Sequence, residues 1–250
     1  MSWLGMRRSA LIGAVAAVGL AACQPAAESG ASFDAKVKAY LLAHPDDLRA
    51  AIQNMQAKDD ADQAKTDAAD DARAKAALPV LRAALERDPR DFVANPNGKV
   101  TVTEFYDYRC PHCIEIAPQV VGLIRSHPDV RFVFKEMPIF GSTSDHAARA
   151  ALAAKAQGKD YVGLYEAMMA ARPLTDEDID RLAAAKGVDV AAMNAPATVA
   201  KDQAQLDDIA KLATKLAING TPGFIVGDTV IRGEDYDSLT AAITAAEKKA

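Results

Sequence analysis

The chain has 250 residues, 50% of them hydrophobic and 25% charged, with a formal net charge of −5 at pH 7. That length and apolar content suffice for one globular core with an attached segment, or for two small domains. An acidic chain lacks the basic footprint of a nucleic-acid binder, so no nucleic acid is expected among its partners.

Residues 1–22 read as an export signal: Arg7 and Arg8 form a positive n-region, and Ala10 to Ala22 an apolar h-region too short to span a bilayer. Losing those two arginines from 29 basic residues leaves 27 against 34 acidic ones, a net charge of −7. Leu20-Ala21-Ala22-Cys23 resembles a bacterial lipobox, in which Cys23 is lipidated and becomes the mature N-terminus. An ordinary signal peptide with an incidental Cys23 is the alternative. Both readings place the mature chain in the periplasm, an oxidising compartment that permits disulfides.

Residues 23–32 are small and polar and read as a tether. Residues 33–92 read as an N-terminal helical segment. Phe33, Val37, Tyr40 and Leu41 recur at helical spacing, Pro45 suits the first turn of a second helix, and Leu48, Ile52 and Met55 continue the stripe. Residues 57–77 hold no large apolar side chain, so this stretch reads either as a solvated spacer helix or, from Ala57, Ala61, Ala64 and Ala68, as a weak coiled coil. Leu78, Leu81 and Leu85 resume a stripe that Asp88-Pro89 ends.

The globular domain is expected over residues 93–250. Asn95-Pro96-Asn97-Gly98 is a turn, and Lys99 to Tyr108 a strand with Val100, Val102, Glu104 and Tyr106 on one face. A helix should begin at Cys110. Val130 to Glu136 reads as a second strand. Helices are expected at Ala147 to Gln157, Tyr161 to Ala170, Asp176 to Lys186 and Lys201 to Leu216. Phe224 to Val226 and Thr229 to Arg232 form a hairpin through Gly227-Asp228, and Tyr236 to Lys248 a closing helix.

The chain has three cysteines. With Cys23 lipidated or cut away, Cys110 and Cys113 remain, and the loop between them is too short to staple a fold, so they read as a site. Cys110-Pro111-His112-Cys113 falls between a strand end and a helix start. Free N–H groups and the macrodipole there favour a thiolate at Cys110. Cys113, one turn on, is the natural resolving thiol, and His112 is positioned to give Cys110 a hydrogen bond or positive charge. Glu104 is either a buried carboxylate with a raised pKa that exchanges protons with Cys113, or an edge residue in solvent. Thr221-Pro222 is either an ordinary strand start or a cis-proline loop beside Cys110 whose Thr221 backbone pairs with substrate. Pro118 lies inside the active-site helix.

These residues resemble the DsbA-like branch of the thioredoxin superfamily. The resemblance rests on Cys110-Pro111-His112-Cys113, on Thr221-Pro222-Gly223-Phe224 before a hairpin, on Glu104 six residues before Cys110 and on Pro118 eight after it. Ser144-Asp145-His146-Ala147-Ala148-Arg149-Ala150 looks like the start of the family's inserted domain. It implies an α/β thioredoxin fold with a helical insertion at residues 142–217 and a redox-active Cys110–Cys113 disulfide with no other cofactor and no resident metal. The implied partners are exported cysteine-containing clients and a membrane redox partner. The extension ending in Asp88-Pro89-Arg90-Asp91 resembles the ScsC-like subgroup (suppressor of copper sensitivity), which implies a homo-oligomer, a trimer by preference, and disulfide isomerisation. Thr221 points the same way, whereas the Pro-His dipeptide is typical of the oxidase DsbA. A Cu(I)-binding module using Cys110, Cys113 and His112 is the alternative of a different class.

Overall fold

The computed structural model describes residues 30–249. The export signal and Cys23 lie outside them. So does most of the expected tether, whose last three residues, 30–32, belong to a helix.

Two helices come first, α1 (Gly30–Ala43) and α2 (Pro45–Glu86), with Pro45 opening the second. The chain divides into two compact units at Asp60/Ala61, within α2. The first unit leaves a run of large apolar side chains exposed: Phe33, Val37, Tyr40, Leu41, Leu48, Ile52 and Met55. The second begins well ahead of the boundary expected near residue 93, because the last turns of α2 belong to its core. Ala74, Leu78 and Leu85 are buried there. The helix runs through Pro79, which the leucine stripe alone did not reveal.

The remaining elements are β1 (Phe92–Ala94), β2 (Val100–Tyr106), α3 (Pro111–Ser126), β3 (Val130–Glu136), α4 (Ser142–Ala156), α5 (Tyr161–Ala170), α6 (Asp176–Ala185), α7 (Val190–Met193), α8 (Pro196–Lys215), β4 (Gly223–Val226), β5 (Thr229–Arg232) and α9 (Tyr236–Glu247). The five strands form one sheet in the order β1-β3-β2-β4-β5. β2 and β3 are parallel, joined through α3, and the other neighbours are antiparallel. Between β3 and β4 lies a block of five helices, α4 to α8, where the insertion was expected. β1 was not expected: three residues before Asn95-Pro96 are too few to show an alternation. α7, with four residues, was not expected either, and α8 starts five residues earlier than the expected Lys201, with Pro196 in its first turn.

The sheet is covered on both faces. On one, Val100, Val102, Tyr106, Phe132, Phe134, Phe224 and Val226 pack with α3, α4, α5 and α9. On the other, Phe105 and Ile225 pack with Ile209 and Leu212 of α8, with Leu216 just past its end, and with Leu78 and Leu85 of α2. Burying such side chains contributes roughly 1.5–3 kcal/mol each before entropy is counted. Lys135 on β3 ties α2 down further: its Nζ donates to Ala84 O at 2.7 Å and pairs with the buried Asp91 carboxylate. Among the described residues no helix is long and apolar enough to cross a membrane.

Candidate active site

The central strand β2 aims the site. At its C-terminal end the chain turns through Asp107 to Arg109 and enters α3, with Cys110 at the N-cap and Pro111 in the first turn. Cys110 N–H donates to Asp107 O at 3.2 Å, and Ile114 N–H donates to Cys110 O at 3.0 Å. The Asp107 carboxylate holds the surrounding loops. It accepts from Arg109 N–H (2.7 Å), Ile139 N–H (2.6 Å), Phe140 N–H (3.1 Å) and Ser144 Oγ (2.9 Å). Its own N–H points at Cys113 Sγ, 3.5 Å away. No motif singled Asp107 out, because its partners other than Arg109 come from residues 32 to 37 positions later.

Both cysteines are buried free thiols. The Thr221–Pro222 bond is cis, and Cys110 Sγ donates to Thr221 O at 3.1 Å. Thr221 therefore meets the thiol across 111 positions, at the start of a cis bond to Pro222. The Cys110 thiol is pulled down to about 5 from an ordinary 9.0. The largest cause is a hydrogen bond from Cys113; Thr221 and the backbone N–H groups of Cys113 and His112 add to it, against partial burial. Burial pushes the Cys113 thiol far up, and its hydrogen bond to Cys110 adds to the effect. One sulfur is thus an anion at neutral pH and its neighbour a held thiol.

His112 departs from expectation. Its backbone N–H serves Cys110, but its imidazole is exposed and turned to the loop after β5, with Nδ1 2.8 Å from Glu234 Oε1. His112, Glu115 and Glu234 bring ligand-type atoms within 4.8 Å of one another, the one such cluster among the described residues.

Glu104 is 1% exposed. In register it stands between Phe134 of β3 and Phe224 of β4, which denies it water. Burial pushes its carboxyl up to about 8, against the opposing hydrogen bond from Tyr165 Oη at 3.3 Å. Tyr165 lies on α5 of the inserted block. It was not picked out from the sequence, since it lies 61 residues from Glu104. Nearby, Tyr106 Oη bonds Tyr108 Oη (2.9 Å) and Tyr161 Oη (2.8 Å), and Tyr161 donates to the buried Glu136, whose carboxyl burial raises to about 7.

The thioredoxin family matches residues 86–245. Over 151 residues the chain is 30% identical to the thiol:disulfide interchange protein DsbA of Bordetella pertussis, covering 56% of this chain and 71% of DsbA. A thioredoxin-like oxidoreductase from Silicibacter pomeroyi DSS-3 is 40% identical, with a TM-score of 0.61 over 68% of this chain and 99% of its own. Proteus mirabilis ScsC is 24% identical and shares the fold, with a TM-score of 0.64 over 88% of this chain and 98% of its own. A low-pKa cysteine at a helix N-terminus, a held second thiol and a cis-proline loop against the first are the parts that dithiol–disulfide exchange requires. By its thioredoxin-family domain and its similarity to DsbA, the chain belongs to the DsbA-like thiol–disulfide oxidoreductases.

Proposed function

We propose that the protein is a periplasmic disulfide isomerase for exported proteins, working as an oligomer from the reduced Cys110–Cys113 pair. The observation that carries the chemistry is the place of the Cys110 sulfur: at the helix N-cap, where Cys113 and backbone N–H groups lower its pKa, and 3.1 Å from Thr221 O of the cis-proline loop, to which it donates while protonated. The Cys110 thiolate attacks one sulfur of a mispaired client disulfide. That S–S bond breaks, a Cys110–client disulfide forms, and one client thiolate is freed. A different client thiolate attacks the client sulfur of that mixed disulfide, which makes a new client pair and returns Cys110 as thiolate, with no net oxidation. If no client thiolate returns, Cys113 loses its proton and attacks Cys110 Sγ. The client leaves reduced and the pair becomes a disulfide, which a membrane redox partner must reduce. Glu104 is suited to take the Cys113 proton, with Tyr165 holding its carboxylate.

The preference for isomerisation rests on the N-terminal helices and on Thr221 before the cis proline. The exposed stripe Phe33, Val37, Tyr40, Leu41, Leu48, Ile52 and Met55 is the kind of surface that associates with copies of itself. Light scattering on the purified chain should give about three times the protomer mass, and a monomer alone would remove the support for an assembled isomerase. The deciding assay is reactivation of a scrambled multi-disulfide substrate by the reduced protein carrying Cys23→Ser. Recovery of substrate activity is the expected result. No recovery, together with rapid oxidation of a reduced substrate by the disulfide form, would make it a DsbA-like oxidase. A Cu(I) site on the same two sulfurs is the less favoured reading, because the imidazole that would join them is engaged by Glu234.

A further inference from the structure

The His112 ring is drawn two ways by chemistry and one way by geometry. A protonated imidazole over a cysteine sulfur would favour the thiolate. A favoured thiolate stabilises the reduced pair and makes the disulfide a stronger oxidant. Here the ring bonds Glu234 instead; the Cys113 thiol does most to hold Cys110 ionised, and His112 adds to it through its backbone N–H.

Glu234 is held in place from both sides. Gly233, at φ +78°, donates its N–H to Pro222 O at 2.9 Å, which ties this loop to the cis-proline loop that touches Cys110. The left-handed φ there suits glycine and little else. On the other side Asp235 caps α9, accepting from Ser238 N–H at 2.9 Å and Ser238 Oγ at 2.6 Å. Tyr236 N–H donates to Glu234 O at 2.9 Å. The carboxylate is thereby delivered over the first turn of α3. The charged groups facing the ring are Glu234 from this loop and Glu115 from α3 itself, both with oxygens within 4.8 Å of a His112 nitrogen. The pull on the imidazole is toward two acids.

We propose that Glu234 is a positioning residue of the dithiol: its carboxylate holds the His112 imidazole off Cys110, which makes the Cys110–Cys113 disulfide a weaker oxidant than an unrestrained imidazole would give. This rests on the exchange chemistry proposed above. It also supplies a reason why a Pro-His dipeptide need not make this pair a strong oxidase.

The test is a double-mutant cycle on the full chain carrying Cys23→Ser. It compares wild type, Glu234→Gln, His112→Ala and the double variant. The readouts are the thiolate absorbance of Cys110 against pH and the equilibrium with reduced and oxidised glutathione. Glu234→Gln should lower the Cys110 pKa and shift the equilibrium toward the reduced pair by about threefold, a modest factor because both side chains are partly exposed. In the His112→Ala background the same substitution should move neither readout. An unchanged equilibrium in Glu234→Gln, or an equal shift without His112, overturns the proposal while leaving the exchange reading intact. A wild-type pair that does not exchange with glutathione at all overturns that reading, and the proposal with it.

Discussion

Replacing Cys110 by alanine is expected to reduce reactivation of a scrambled substrate to the uncatalysed rate, roughly a thousandfold or more below wild type, as loss of a covalent nucleophile does elsewhere. Replacing Cys113 is expected to do something different. Cys110 would still be the attacking sulfur, so mixed disulfides with clients would form and accumulate. The asymmetry follows from the site: Cys110 is pulled down to about 5 while burial pushes Cys113 far up. Alkylation of the reduced protein with iodoacetamide should therefore modify Cys110 first, at a rate half-maximal near pH 5. Equal labelling of both cysteines, or a labelling midpoint near the ordinary thiol value, would show that the helix N-cap and Cys113 do not stabilise the anion as described.

The second large effect concerns stability rather than rate. The Glu104 carboxyl is raised to about 8 from an ordinary 4.5, chiefly by burial. The folded protein therefore binds this proton more tightly than the unfolded chain. Stability should be full below about pH 4.5, fall as pH rises, and level off above about pH 8. Glu104→Gln keeps an oxygen for the Tyr165 hydroxyl and removes the ionisation. Urea denaturation at pH 9 should find this variant more stable than wild type by on the order of 4 kcal/mol, with the difference gone near pH 5. Glu136 is raised to about 7 for the same reason and contributes in both proteins, so the comparison isolates Glu104. Identical pH dependence in the two proteins would place Glu104 in contact with solvent. Catalysis should move the other way: without the carboxylate, Cys113 loses its proton more slowly and mixed disulfides should persist longer.

Local chemistry made much of this molecule legible from the sequence. The alternation of Val100, Val102, Glu104 and Tyr106 gave the central strand and the face it buries, because a strand's side-chain period is two wherever one residue falls in a core. A CxxC between a strand end and a proline-led helix start gave the site, because helix N-termini offer free N–H groups to an anion whatever fold surrounds them. The Tyr161–Ala170 helix and the Val130–Glu136 strand were readable from periodicity to their terminal residues. What periodicity could not reach were features set by partners distant in the chain. The last turns of α2 belong to the second unit because Leu78 and Leu85 meet Ile209 and Leu212 on the sheet's second face, far on in the chain. Tyr165 reaches Glu104, and Asp107 gathers loops from residues 139–144, only because α5 and those loops are packed over the end of β2. The His112 ring was assigned to Cys110 on proximity in sequence. A carboxylate 122 residues away claims it instead, since a side chain on a helix's first turn bonds whatever the tertiary structure sets opposite it.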